Sequence, residues 1–101
     1  MRRVVASYAR AIENKDVSLF RSVKPNLSRE EERRLQEGFR AVVSQQVQIT
    51  PLSIDIHDQD ATVTGQRRDV IDAGGRRQTV ESRQTFRLAR TGAGWVITEI
   101  R

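Results

Sequence analysis

The sequence predicts an α+β domain in which three N-terminal helices pack on one face of a curved, four-stranded antiparallel sheet. Three observations support this fold class. Apolar residues recur at helical spacing through the first part of the chain, and from Gln46 onward the apolar period changes to two. The stretch 79–101 then places two runs rich in β-branched and aromatic residues around the turn Thr91-Gly92-Ala93-Gly94, which is typical of a hairpin.

An apolar stripe and an interruption of the helical spacing predict the first two helices. The first helix is predicted over residues 3–14, and the second over residues 17–23 with Asp16 as its N-cap. Pro25 ends the second helix, because the residue before a proline is pushed out of the helical region. The stripe on the first helix consists of Val5, Tyr8, Ala9 and Ile12.

The third helix is predicted over residues 29–44 and begins at a capping box, in which the Ser28 hydroxyl and the Glu31 side chain satisfy the first free amides. Gly38 weakens this helix by roughly 1 kcal/mol relative to alanine, so we interpret it as a close-approach position. The apolar side of the helix consists of Leu35, Phe39, Val42 and Val43.

Four strands follow. The first contains two apolar runs of opposite parity on either side of Pro51, which predicts an edge strand with a bulge or bend. The other strands are predicted over residues 61–71, 77–90 and 95–101, with turns at residues 57–60 and 72–75. The apolar runs of the first strand are Val47 and Ile49, then Leu52, Ile54 and Ile56.

The last strand is apolar on both sides, which is typical of a strand that is covered on both faces. Trp95 and Ile97 point one way, and Trp95 is predicted to be the main core anchor. Val96, Thr98 and Ile100 point the other way. The helices can cover one face, and a partner could cover the other.

Chain length and composition limit the kind of protein that this is. A chain of 101 residues is expected to form one domain, residues 1–101, and is also compatible with a module cut from a longer chain. No apolar run approaches the ~20 residues of a membrane span, so we expect no membrane contact by this domain. The start Met1-Arg2-Arg3 does not resemble a signal peptide. The sequence leaves the compartment open: we expect a cytoplasmic chain as it stands, or an extracytoplasmic one if it is the C-terminal module of a membrane-spanning kinase.

The net charge of +5 comes mostly from arginine, and acidic residues lie near each basic pair. Residues 1–50 carry ten Lys/Arg against six Asp/Glu, and residues 51–101 carry eight against seven. Nucleic-acid modules concentrate basic residues on one face beside aromatic residues. We therefore favour a solvated surface and expect no nucleic-acid partner.

Few residues here could hold a metal. The absence of cysteine excludes disulfides, thiolate ligands and cysteine nucleophiles. The single histidine, His57, is predicted to lie in an exposed turn. Asp55, Asp58 and Asp60 could hold calcium, but Asx-turn chemistry explains them better, because a bidentate glutamate is missing. We expect no metal and no cofactor.

The pattern resembles the nuclear transport factor 2-like (NTF2-like) superfamily, which includes SnoaL-like polyketide cyclases and steroid delta-isomerases. The stretch 8–36 also resembles domains of this kind appended to bacterial serine/threonine kinases and other multidomain proteins. The residues that carry the resemblance are Tyr8-x-x-Ala11, Asn14-Lys15-Asp16, Leu19-Phe20, Ile54-x-Ile56-x-Asp58-x-Asp60-Ala61-x-Val63, Phe86-x-Leu88 and Gly94-Trp95-x-Ile97.

The resemblance implies a cone-shaped, strongly bent sheet that encloses a cavity, and homodimers formed through the open sheet face. It also implies, for the enzymes of the superfamily, a carboxylate base in the cavity with a tyrosine and a protonated carboxylic acid as oxyanion donors, or an aspartate–histidine pair. The sequence does not place such a base, because the facing of Asp69 and Glu81 is ambiguous.

Two groups of residues are candidates for function. Polar side chains on an inner face must find partners in the core or line a wet pocket, and the same residues could instead lie at the surface. The sequence leaves the facing of Arg67 open. The cavity candidates are Tyr8, Arg67, Ser82 and Gln84. Outer-face residues suit either a partly polar dimer interface or an exposed face; these are Thr62, Thr64, Arg83, Thr85, Arg87, Val96, Thr98 and Ile100.

We interpret the chain as a non-catalytic module that binds a small organic ligand or dimerises. The alternative is a small isomerase or cyclase. An interior carboxylate beside a tyrosine hydroxyl would distinguish the alternative.

Overall fold

A computed structural model describes residues 2–92 and 94–101 of the chain. Met1 and Ala93, the latter part of the predicted closing turn, lie outside the described residues. Three helices precede four strands, so the predicted α+β class and element order are confirmed. The elements are α1 (Arg2–Glu13), α2 (Val17–Val23), α3 (Arg29–Ala41), β1 (Ser44–His57), β2 (Asp60–Ala73), β3 (Arg76–Thr91) and β4 (Gly94–Ile100).

Helix α1 buries its predicted apolar stripe. The Tyr8 ring packs against Phe20 of α2 with 5.5 Å between ring centroids, and edge-on against Phe86 of β3 at 5.3 Å. Such aromatic contacts add to the stabilisation that burial provides. Tyr8 is therefore held on two sides, and its hydroxyl has a defined direction.

None of the helices in the described part of the chain has the length and apolarity needed to cross a membrane.

Side-chain caps begin α2 and α3 at the predicted positions. The Asp16 carboxylate accepts from the backbone N–H of Leu19 at 3.0 Å, and the Ser28 hydroxyl accepts from that of Glu31 at 3.1 Å. The Glu31 carboxylate accepts from the Lys24 ammonium and the Ser28 hydroxyl, and these hydrogen bonds lower the pKa of Glu31. Both helix starts thus have an acceptor for an otherwise free amide.

Replacing the α3 cap should cost measurable stability. We expect Ser28→Ala to lower the free energy of unfolding by about 1 kcal/mol, because one amide of the first turn loses its acceptor. Urea denaturation at neutral pH measures this loss. Ser18→Ala, an exposed position inside α2, is the matched control and should have little effect. Equal urea midpoints for Ser28→Ala and the parent chain would contradict the prediction.

Helix α3 ends at Ala41, earlier than predicted, because Val42 already has extended backbone angles (φ −116°, ψ 130°). Of its predicted apolar side, Phe39 is buried and Leu35 packs partly against the core. Val43 is 68% exposed, so the prediction that it belongs to the buried side was wrong.

The strands form one antiparallel meander in the order β1-β2-β3-β4. The register of β1 against β2 shifts between Pro51 and Ser53, which confirms the bend predicted at the proline. Gly65 lies opposite Pro51, and a Cβ atom at Gly65 would come within 2.9 Å of the Ile49 Cγ2 atom. A side chain at this point would therefore force Ile49 to shift, which favours glycine at the bend.

A second register shift decides which face Ile100 occupies. Leu88 pairs with Ile97, and Phe86 pairs with Ile100, so Thr98 is the extra residue on β4. Ile100 consequently packs against the core. The prediction that Ile100 lies on the outer face was wrong, because strict alternation fails across a bulge.

The core lies between the helices and the covered face of the sheet, here called the inner face. Its largest fully buried side chains are Phe86, Leu88, Ile97 and Val63. Trp95 is half-buried and packs against this core from the side, so Phe86, rather than the predicted Trp95, is the central aromatic residue.

Strand β1 is an edge of the sheet, and its two halves differ. In the first half, the backbone N–H of Val47 donates to the Glu13 carboxylate of α1 at 3.0 Å. In the second half, Leu52 and Ile56 are 52% and 54% exposed. A helix side chain thus occupies the edge before Pro51, whereas the edge beyond Pro51 presents apolar side chains to solvent.

Candidate ligand-binding site

A cluster of polar side chains lies on the inner face beneath the helices. Strand β2 alternates so that Arg67 and Asp69 follow the buried Ala61, Val63 and Gly65 on the same face. From the neighbouring elements Tyr8 of α1, Gln45 of β1 and Gln84 of β3 meet this pair. Five polar side chains from four elements thus meet at one position of the sheet.

Arg67 is the centre of the cluster. Its Nε donates to Asp69 Oδ1 at 2.7 Å, and its Nη2 donates to Asp69 Oδ2 at 2.9 Å, which is a bidentate pair. Its Nη1 donates to the Tyr8 hydroxyl at 2.9 Å and to Gln84 Oε1 at 3.0 Å. Gln45 Nε2 donates to Asp69 Oδ2 at 2.7 Å. The Asp69 carboxylate therefore accepts three N–H bonds.

Arg67 and Asp69 form a buried ion pair with no net charge. The Asp69 side chain is 8% exposed and the Arg67 side chain 13%. Burial alone lowers the pKa of Arg67, but the hydrogen bonds and charges of Asp69 and Tyr8 outweigh burial, so the pKa of Arg67 is raised. A raised arginine pKa contributes stability at every pH below its ordinary value. Arg67 thus stays charged throughout the physiological range.

A pocket of about 350 Å³ lies against this cluster. Tyr8, Gln45 and Arg67 supply its polar floor. Its apolar walls come from all three helices and the segment between α3 and β1; they are Ile12, Phe20, Leu35, Phe39 and Val42. Because Tyr8 accepts a bond from Arg67, its own proton is available to an acceptor in the pocket. An apolar pocket with a few convergent polar groups is typical of a small-molecule site.

The residues Arg34 and Gly38 of α3 complete the lining. Gly38 was interpreted from the sequence as a close-approach position. That interpretation was wrong, since a Cβ atom at Gly38 would meet no atom within 4 Å. The helix instead leaves open space at this point, beside the pocket.

The structure brings three of the four predicted cavity residues together, namely Tyr8, Arg67 and Gln84. Ser82 lies opposite Arg67 in the register but is exposed and does not line the pocket. Asp69 and Gln45 were not predicted as members. Asp69 could have been found by continuing the alternation of Ala61, Val63 and Gly65 along β2. Gln45 carries no such signal, because it precedes the stretch in which alternation is visible.

The outer face of the sheet is mostly polar. Thr62, Thr64 and Thr85 are half-buried, whereas Arg83 and Arg87 are exposed. Arg87 pairs with Glu99 across β3 and β4 at 3.6 Å. Glu81 lies opposite Arg68 on this face, which resolves its ambiguous facing. Val96 also lies there, half-buried, and Thr98 is the bulge residue whose carbonyl accepts from Asn26.

The acidic turn is a solvated feature. The His57 side chain is 82% exposed and its Nε2 lies 3.5 Å from Asp55 Oδ1. Asp58 has a positive φ of 53° in the turn between β1 and β2, a conformation that aspartate tolerates. Within residues 2–92 and 94–101, no group of three or more His, Asp or Glu side chains is arranged to hold a metal ion.

Comparisons with known proteins agree on the fold. No protein-family model matches the chain, and no curated protein matches its sequence. Among solved structures, a conserved protein from Planctomyces limnophilus superposes with a TM-score of 0.89 at 14% identity, over 98% of this chain and 88% of that one. An NTF2-like superfamily protein from Salmonella enterica gives 0.85 at 14% identity, over 98% and 84%.

A third structure is described as a candidate dehydratase of the NTF2-like family from Streptomyces avermitilis. It superposes with a TM-score of 0.84 at 16% identity, over 96% of this chain and 87% of that one. At this level of identity the likeness concerns the fold, and the predicted cone-like α+β architecture agrees with it.

Proposed function

We propose that this chain, which has the NTF2-like fold, is a non-catalytic module of a larger bacterial protein that binds a small organic ligand and associates as a homodimer. The observation that carries the proposal is the pocket against Tyr8 and Arg67, with apolar walls and a neutralised floor. Because Asp69 cancels the charge of Arg67, the floor suits an uncharged acceptor such as a carbonyl oxygen.

Binding is favoured over catalysis by the state of Asp69. A general base must be free to take a proton from its substrate. The three N–H bonds from Arg67 and Gln45 occupy the Asp69 carboxylate, and Asp69 does not line the pocket itself. These contacts support a structural role for Asp69, which holds Arg67 and through it Tyr8.

The ligand proposal can be tested with 2-acetylnaphthalene, an apolar bicyclic ketone, and 2-ethylnaphthalene, which lacks the acceptor. We expect the ketone to shift the amide resonances of pocket residues and to bind more tightly than the hydrocarbon by about 2- to 10-fold, the range of one hydrogen bond. Tyr8→Phe should remove that preference. Absence of shifts at Ile12, Phe39 and Gln45 with either compound would refute the ligand pocket.

The dimer proposal concerns the outer face, where Arg87 and Glu99 alternate in sign and half-buried threonines lie between the charged side chains. Two copies could pair opposite charges across such a face. Native mass spectrometry should give the mass of two chains, and Arg87→Glu should reduce it to one. Arg76→Glu, an exposed position in the β2–β3 turn region, is the control and should leave the dimer intact. A monomer at high micromolar concentration would refute the dimer.

A second function, that of a small isomerase or cyclase, rests on one observation: the buried Asp69 carboxylate shares Arg67 as a partner with a tyrosine that can donate. It requires Asp69 to leave Arg67. If this occurs, the protein should accelerate exchange of the acetyl methyl protons of 2-acetylnaphthalene for deuterium, and Asp69→Asn should abolish the acceleration. Exchange at the buffer rate would exclude this function for such ketones.

A further inference from the structure

We propose that the pocket takes an elongated amphipathic anion, with its apolar end inside and its carboxylate at Arg34, and that Gly38 is the opening through which it enters. This inference rests on the proposed ligand-binding function and names the class of ligand. It rests on Arg34 and Gly38 of α3, which line the pocket and leave it open on this side.

Gly38 leaves a gap in the surface of α3. Arg34 and Gly38 are four residues apart, so they follow one another along the same side of α3, and both line the pocket. Val42, just beyond the end of the helix, lines it as well. A glycine inside a helix is unfavourable, and neither a positive φ nor a close neighbour requires one here. The missing side chain leaves open space between Arg34 and Val42.

Arg34 supplies a cation at this gap that is free to move. Its side chain is 66% exposed, and its contact with the equally exposed Glu30 is 3.5 Å long. Such a surface pair is weak. Arg67, in contrast, has its charge cancelled by Asp69 inside the pocket. The pocket therefore combines a neutral floor, apolar walls and one loosely held guanidinium at the opening.

The same guanidinium reaches beyond the pocket. Arg34, Leu35 and Phe20 also line a neighbouring groove, of about 570 Å³, between α3 and β4. A ligand that fills the pocket would thus leave its outer end beside Arg34, where a planar carboxylate can accept two N–H bonds. A ligand with an apolar body and one terminal carboxylate meets all three features.

The test compares 6-acetyl-2-naphthoate with its uncharged methyl ester by isothermal titration calorimetry. We expect the anion to bind more tightly by about 5- to 10-fold, as a charge-assisted hydrogen bond at an exposed site allows. Arg34→Met should abolish this preference. Arg33→Met removes the same charge from the adjacent, exposed position that does not line the pocket, and it should retain the preference.

The opening is tested with Gly38→Trp against Gln36→Trp, an exposed position of α3 away from the pocket lining. Gly38→Trp should weaken both probes by at least about 10-fold while the circular dichroism spectrum and melting temperature stay unchanged. Gly38→Ala provides a milder version that should fold without strain.

Each outcome decides one point. Equal affinities for anion and ester, or equal effects of Arg34→Met and Arg33→Met, would overturn the anion assignment while leaving the ligand pocket standing. Unchanged affinities in Gly38→Trp would overturn the opening. Failure of 2-acetylnaphthalene and both naphthoate probes to bind would overturn the proposed function together with this inference.

Discussion

Arg67→Met is expected to lower the free energy of unfolding by about 3–5 kcal/mol, the range for removing one partner of a buried ion pair. The variant leaves the Asp69 carboxylate, only 8% exposed, without the two N–H bonds and the charge that Arg67 provides. Methionine keeps the apolar stem of the side chain, so the loss reports the missing guanidinium rather than a cavity. Urea denaturation at neutral pH gives the free energy.

The double variant Arg67→Met, Asp69→Leu is the decisive control. Replacing a whole buried ion pair by apolar residues is often neutral, so the double variant should recover most of the loss. If it remains as unstable as Arg67→Met, the pair is not what the single substitution disrupts, and the role assigned to Asp69 is incorrect.

Phe86→Ala should have a comparably large effect, a loss of about 3–5 kcal/mol, because its fully buried ring leaves a cavity in the middle of the sheet. Phe86 pairs with Val63 on one side and Ile100 on the other, and its ring supports Tyr8 from below. The substitution is therefore also expected to weaken binding of 2-acetylnaphthalene, since the direction of the Tyr8 hydroxyl depends on this contact.

Trp95→Ala is the comparison for Phe86→Ala. The Trp95 side chain is half-buried at the edge of the core, so its loss should cost less than that of Phe86 despite its greater size. Chemical denaturation of both variants under the same conditions ranks them. A larger loss for Trp95→Ala would show that the core is centred on β4 rather than on β3.

The fold could be predicted from the sequence because its signals are local. Helical spacing around Tyr8, the N-caps Asp16 and Ser28, and the change of period at Gln46 each act within a few residues. The errors arose where local alternation is interrupted. The bulge at Thr98 places Ile100 on the inner face, and the sequence around Thr98 carries no signal for an extra residue.

The candidate site could be predicted only in part, because it is assembled across the sheet. Tyr8 and Gln84 can be identified as polar residues on apolar faces, which is a property of each element alone, whereas the sequence leaves the facing of Arg67 open. Their contact, and the addition of Gln45 from β1, depend on strand order and register. The open space beside Gly38 could not be predicted, because a glycine inside a helix is equally compatible with a close neighbour and with no neighbour at all.

The contrast between the two halves of β1 has a consequence for assembly into aggregates. Unpaired strand edges are templates on which other chains can add and grow into fibrils. The Glu13 carboxylate blocks this addition at Val47, while Leu52, Ile54 and Ile56 leave the far half of the edge available. Intermolecular growth from the native state would therefore start at residues 52–57, and a lysine in place of Ile56 would act as a gatekeeper against it.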